Sequence, residues 1–235
     1  MKIKGVIFDY GGTLDSRGVH WSEVLWNGYL LAGVPVTKEQ FRDCYVAAER
    51  ELAKVRHILP QDDFHVLLLK KVRIELANLV EQGLVAAADV EKYTKVVADY
   101  CYDAAKMCIE AARPVLEALS ERYPMMLVSN FYGNVDAVLR DYNIRQYFKG
   151  IIESSVVGIR KPNPTLFRLG VDALELPAAD VVVIGDSLRK DILPAESLGC
   201  QVLWLKGKGW TADEDAQTHP CQISSIKQVL DEIES

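Results

Sequence analysis

The sequence has no apolar run approaching the ~18 residues needed to cross a bilayer. It has no cluster of lysines and arginines, and its net charge is −6. That balance argues against nucleic acid as a main partner. Met1-Lys2-Ile3-Lys4 runs straight into a strand pattern, without the apolar region and cleavage site of a signal peptide. No membrane partner and a cytoplasmic setting are therefore expected. The five cysteines, Cys44, Cys101, Cys108, Cys200 and Cys221, are odd in number and lack metal spacing. Cys101 and Cys108 share a helical face and read as core, which fits a reduced compartment. Histidine is scarce, and His57 and His65 fall in helical stretches where surface or packing roles are ordinary. There is no internal repeat and no low-complexity segment. What remains is globular: 235 residues, 26% charged and 49% hydrophobic, enough for one large domain or two small ones.

The most informative stretch is Lys4 to Asp15. Val6-Ile7-Phe8 lacks polar alternation, as a buried parallel strand does. It stops at Asp9, and Gly11, Gly12 and Thr13 follow. A carboxylate at the C-terminal end of such a strand sits where open α/β sheets bind ligands. Glycines there let backbone N–H groups approach an anion. An ordinary strand-to-helix turn capped by Asp9 would carry the same residues, so the stretch alone does not decide.

Residues 16–110 read as helices only. Trp21, Val24, Leu25, Tyr29 and Ala32 recur at helical spacing, and Gly33 and Pro35 stop that helix. Thr37 to Gln40 fits a capping box. A second stripe runs from Phe41 to Leu52. Asp62 or Asp63 caps a third helix, and Asp89 opens a fourth. Beyond residue 111 helix and strand alternate. Pro114 suits the first position of a new helix. Strands are expected at 125–128, 150–152, 180–184 and 201–205, with a last helix over 226–234. Alternation of this kind implies a parallel sheet with helices on both faces. The first strand has no partner inside the bundle, so it belongs to that sheet. The fold expected is α/β: a Rossmann-like core of residues 1–15 and 111–235, and an inserted all-helical cap of 16–110, set over the sheet edge that carries Asp9.

Three strand ends bear acidic or hydroxyl groups: Asp9, Ser129 and Asp186. In a parallel sheet they share one edge. Gly158-Ile159-Arg160-Lys161-Pro162-Asn163-Pro164 adds a cation just before a helix. The set resembles the haloacid dehalogenase superfamily of phosphatases and related hydrolases along essentially the whole chain. Asp9 to Leu14, Val128-Ser129-Asn130, Lys161 in its Lys-Pro-x-Pro context, and Gly185-Asp186-Ser187 through Asp191 look like its four motifs in order. The helical insertion looks like its cap of the C1 type.

The resemblance implies a Mg²⁺-dependent hydrolase acting on a small phosphate ester. Asp9 would be the nucleophile, forming an aspartyl-phosphate. Asp9, Asp186 and the Gly11 carbonyl would hold the cation. Ser129 and Lys161 would stabilise the transferring phosphoryl group, with Gly12 and Asn130 beside it. Asp191 would orient Lys161 or metal-bound water. One position departs from the pattern. Phosphatases of the family carry a second aspartate where Gly11 stands, and dehalogenating members carry a tyrosine. General acid–base help is worth about 10²–10⁴ in rate, so a handicapped or unusual phosphatase is expected. Asp15, a cap residue or the substrate itself are the candidates to move the proton instead. A C–halogen hydrolase, and a phosphate- or metal-binding protein with little catalysis, are the competing functions. Trp21, Tyr29 and Arg56 are aromatic or polar-tipped residues of the cap, with packing or surface as their ordinary reading. Substrate identity and oligomeric state are not legible.

Overall fold

All four residues of strand β1 (Gly5–Phe8) are buried. They lie at the centre of the sheet in this computed structural model, which describes residues 2–234. Four helices follow: α1 (Trp21–Ala32), α2 (Lys38–Lys54), α3 (Phe64–Glu81) and α4 (Val90–Ser120). Local chemistry sets their starts. The Thr37 hydroxyl accepts from the Gln40 backbone N–H at 3.2 Å, and Gln40 Oε1 accepts from the Thr37 N–H at 2.9 Å. Asp63 caps α3, accepting from the Val66 N–H at 2.8 Å. Asp62 accepts from the Leu59 N–H and pairs with Lys70.

Helix α4 corrects one expectation. It runs 31 residues and passes Pro114 without stopping. Proline costs a helix one hydrogen bond and some crowding. Ala112, Val115, Leu116 and Leu119 nevertheless continue the buried stripe begun by Val97 and Cys101, and their burial outweighs that cost. Arg113 donates to the Tyr142 and Asn143 carbonyls, which fastens the helix to the sheet layer here.

The remaining elements alternate as expected: β2 (Met125–Ser129), α5 (Val135–Asp141), β3 (Gly150–Glu153), α6 (Ser154–Val157), α7 (Thr165–Leu174), β4 (Val181–Gly185), α8 (Leu193–Ser197), β5 (Gln201–Leu205), α9 (Ala212–Ala216), β6 (Gln222–Ile223) and α10 (Gln228–Glu234). Here α6, α9 and β6 are additions, too short to leave a period in the sequence. The strands form one parallel sheet in the order β3-β2-β1-β4-β5-β6. No helix among the described residues is long and apolar enough to cross a membrane.

Register places the site. Phe8 lies beside Leu127 and Ile184. The residues just beyond, Asp9, Ser129 and Asp186, therefore meet at one edge. Val6 and Phe8 join a hydrophobic cluster shared with the helical bundle, while Ile7 faces Val128 and α7 on the other side. Contact on that second side is close. A Cβ on Gly170 of α7 would come within 2.7 Å of the Val128 methyl and 3.2 Å of Ile7. Overpacking a core costs about 1–3 kcal/mol, more than any gain in helix propensity from losing glycine. Gly170→Val should lower unfolding stability by that amount in urea titrations; an unchanged midpoint would show that α7 can move away from the sheet.

Candidate active site

Asp9 leaves the sheet directly after β1, its N–H donating to the Ile184 carbonyl at 2.9 Å. Its carboxylate is 4% exposed and fully engaged. Oδ1 accepts from the Ser129 hydroxyl at 3.0 Å and from the Lys161 ammonium at 2.7 Å. Oδ2 lies 3.2 Å from the Thr13 hydroxyl, which is also 3.1 Å from Asp186 Oδ1. The Lys161 ammonium also donates to Asp191 Oδ1 at 2.7 Å, and Asp191 Oδ2 accepts from the Ser187 N–H at 3.0 Å. The structure thus brings Asp9, Ser129, Lys161, Asp186 and Asp191 into one cluster.

Burial, reinforced by the charges of Asp191 and Asp9, pushes the Asp186 carboxyl well above the usual range. Burial raises Asp191 as well, against the pull of Lys161. For Lys161, burial alone would lower the pKa, but Asp191 and Asp9 outweigh it and keep the ammonium charged. Oxygens of Asp9, Asp186 and Asp191 lie within 4.8 Å of one another. Three carboxylates face one ammonium. An all-oxygen, hard donor set with excess negative charge fits Mg²⁺.

Gly12 and Asn130 both line the cavity, and each also braces the site. Gly12 was expected to offer its N–H to an anion, but that N–H donates to Asp15 Oδ1 at 2.7 Å. Its lack of a side chain matters in another way. With φ at +97°, a Cβ there would sit on the Asp186 carboxylate. Asn130, expected beside the phosphate, lines the cavity with Asp9, and its side-chain amide clamps the Lys161 backbone, accepting from the N–H at 2.9 Å and donating to the C=O at 3.2 Å. It fixes where Lys161 begins. Gly11 faces the cavity, and a Cβ added to it meets nothing within 4 Å.

Asp15 is buried and does not line the cavity. Both its oxygens are taken, Oδ2 accepting from Trp21 Nε1 at 2.9 Å. It ties the loop after Asp9 to the first helix of the bundle and cannot reach a leaving group.

Asp9 opens onto a cavity of about 600 Å³ between sheet edge and bundle. Trp21 lines it; Tyr29 is buried in the bundle against Glu75, and Arg56 is exposed. Sequence reasoning missed several wall residues. Lys71 of α3 pairs with Glu49 of α2, and Tyr132, three residues after Ser129, donates to Glu49 at 2.8 Å. Trp210 packs on Tyr45, with ring centroids 5.6 Å apart, and under the Arg42 guanidinium at 4.5 Å. The signal for Lys71 was present: it stands on the buried stripe of α3, between Leu67 and Glu75. Trp210 lies in an irregular loop and gave none.

Comparison with known proteins agrees with this geometry. The sequence profile of the haloacid dehalogenase-like hydrolases matches residues 3–199. A zebrafish (Danio rerio) haloacid dehalogenase-like hydrolase domain-containing protein 3 is 32% identical over 108 residues, 46% of this chain and 43% of that one. Glyceraldehyde 3-phosphate phosphatase of Pyrococcus abyssi is 30% identical over 101 residues, 42% of each chain. The chain spans less than half the length of these curated relatives. A magnesium-bound HAD-hydrolase from Bacillus subtilis, YfnB, superposes over 100% of both chains with a TM-score of 0.63 at 17% identity.

The buried Asp15 makes stability depend on pH. Burial pushes its carboxyl up to about 8, against the two donors from Gly12 and Trp21. A folded value above the unfolded one means that folding favours the neutral form. Its contribution is complete below about pH 4 and is lost as pH rises through about 8. The difference in unfolding free energy between wild type and Asp15→Asn, followed from pH 5 to 9, should therefore shift against the wild type as pH rises. A pH-independent difference would mean that the group is not shifted.

Proposed function

The chain belongs to the haloacid dehalogenase-like hydrolases, and on that premise we propose that it is a Mg²⁺-dependent phosphomonoesterase acting through an aspartyl-phosphate on Asp9. The observation that carries this is a nucleophilic carboxylate held from three sides by Ser129, Lys161 and Thr13, at the floor of a ligand-sized cavity. Ser129 and Lys161 fix Asp9 Oδ1, which orients Oδ2 for attack. The Lys161 ammonium lies where charge gathers on nucleophile and phosphoryl group together. Asp191 keeps that ammonium in place. Asp9 and Asp186, with the Gly11 carbonyl, are the residues that would hold the cation. Bound Mg²⁺ supplies the charge neutralisation that lets a carboxylate approach a phosphate dianion. A relative such as the Pyrococcus abyssi phosphatase supports a small phosphate ester as substrate. The same reading makes residues 16–110 a cap over the site.

A C–halogen hydrolase would also use a carboxylate nucleophile, but it needs no cation and leaves Asp186 without a task. Assays separate the readings. Release of p-nitrophenol from p-nitrophenyl phosphate should require Mg²⁺, while chloroacetate should give no chloride. Asp186→Ala should abolish the metal-dependent rate and keep the fold. Unchanged Mg²⁺ affinity of that variant by calorimetry would remove Asp186 from the metal site.

The cap reading has its own measurement. Residues 16–110 should gain hydrogen-exchange protection together when a phosphate analogue binds with Mg²⁺, because closure excludes water from the site. Protection confined to the sheet edge, with the analogue demonstrably bound, would refute a gating cap.

A further inference from the structure

Among the described residues, the loop after Asp9 offers no free carboxyl group to protonate a departing oxygen. The loop after the nucleophile offers Tyr10, fully buried, then two glycines. The Thr13 hydroxyl lies against Asp9 and Asp186, and Asp15 is sealed beneath the loop by Gly12 and Trp21. On the cap side, Lys71 and Tyr132 hold Glu49 as a carboxylate. Burial brings His20 down to about 4, so its ring is neutral.

The wall around this site is aromatic. Three ring pairs line the cavity: Trp21 with Phe64 at 5.4 Å, Phe131 with Tyr132 at 5.2 Å, and Tyr45 with Trp210 at 5.6 Å. They come from the bundle, from the loop after β2 and from the loop after β5. The last of these lies beyond residues 3–199, the span that the family profile matches.

We propose that the substrate is a phosphate monoester of an aromatic hydroxyl, its ring held between these aromatic walls and its phosphate on Asp9. The inference rests on the phosphatase reading above and specifies its leaving group. A phenol resembles the tyrosine hydroxyl, with a pKa of about 10. An aliphatic alcohol lies near water, at roughly 16. Asp9 Oδ2 forms a bond to phosphorus as the bond from phosphorus to the ring oxygen breaks. The electron pair leaves on that oxygen as a phenolate, which takes its proton from solvent. Water then attacks phosphorus as the bond from phosphorus to Asp9 Oδ2 breaks, giving inorganic phosphate, restoring the Asp9 carboxylate and releasing the excess proton to solvent. A phenolate leaves without help, and an alkoxide does not. Offset or edge-on rings supply the affinity.

Four probes with Mg²⁺ on the unmodified protein separate ring from leaving group. Phenyl phosphate has both features, benzyl phosphate has the ring with an alkoxide leaving group, acetyl phosphate has a good leaving group without a ring, and glycerol phosphate has neither. The expected kcat for phenyl phosphate exceeds that for benzyl phosphate by roughly 10²-fold or more. The two ring substrates should share a KM below those of acetyl and glycerol phosphate. Gly11→Asp, whose Cβ has open space, should raise the benzyl rate by up to about 10²-fold. Trp210→Leu should raise KM for both ring substrates by roughly three- to tenfold, and that for acetyl phosphate less. A kcat/KM for benzyl phosphate equal to that for phenyl phosphate would reveal a proton donor at the step in which the ring oxygen leaves, and overturn the proposal. A KM for phenyl phosphate no lower than that for acetyl phosphate would remove the ring site. If neither phenyl nor acetyl phosphate releases phosphate, the phosphatase reading itself fails and this inference goes with it. The substrate series decides even where a variant does not fold.

Discussion

The ammonium of Lys161, 2.7 Å from both Asp9 and Asp191, is the contact on which the site depends. All three side chains are nearly inaccessible to water. Taking a charge out of water costs several kcal/mol per ion even after relaxation, so none of the three is stable there alone. With Asp186 the cluster holds three carboxylates and one ammonium. Burial, with the neighbouring carboxylates, raises the Asp186 and Asp191 carboxyls. The remaining negative charge is what a divalent cation would balance.

Everything around the cluster keeps Lys161 in position. Asn130 holds its backbone at both the N–H and the C=O. The Phe167 ring lies 4.9 Å from its ammonium. Helix α7, which carries Phe167, packs so closely on β1 and β2 that Gly170 has no room for a side chain. Sheet register then puts Asp9 and Ser129 opposite. A packing constraint on a glycine several residues away therefore fixes a charge–charge distance in the site.

The core and four of its motifs were legible because their chemistry sits at strand ends, where an apolar run stops and a polar residue follows. Asp9, Ser129 and Asp186 are each marked this way, and Lys161 by the prolines that follow it just before a helix. Hydrogen-bond assignments were less legible. Gly12 and Asn130 lie in the right place, yet the Gly12 N–H is engaged by Asp15 and the Asn130 side-chain amide by the Lys161 backbone, partners the sequence does not reveal. Pro114 misled because a local signal lost to a buried stripe on both sides of it. The cavity wall was the least legible. Which face of a bundle helix meets the sheet edge is a tertiary outcome, and periodicity shows only that a face exists. Lys71 and Glu75, charged residues at buried-stripe positions, were the one hint of a second polar centre.

Two connections join the helical bundle to the sheet layer, and they differ in kind. The strap from Ser16 to His20 lies flat on the loop after β5, with the His20 N–H donating to the Lys208 carbonyl at 2.7 Å and Gly18 packed against Gly207. Those two glycines exclude side chains from the crossing, so strap and loop move together. The second connection is helix α4, unbroken from one layer to the other. Its weakest point is Pro114, which lacks the N–H that would bond to the Glu110 carbonyl. Arg113 anchors the helix to the Tyr142 and Asn143 carbonyls one residue earlier. Motion of the bundle would therefore be absorbed on the N-terminal side of that anchor, close to where the proline removes a hydrogen bond. Asp15 stands between the two connections, one oxygen on the nucleophile loop and the other on Trp21 of α1. Any displacement of the bundle would therefore strain this carboxyl group directly at the loop that presents Asp9, beside the contacts that Tyr132 makes to Glu49 and Asn134 to the Asp62 carbonyl.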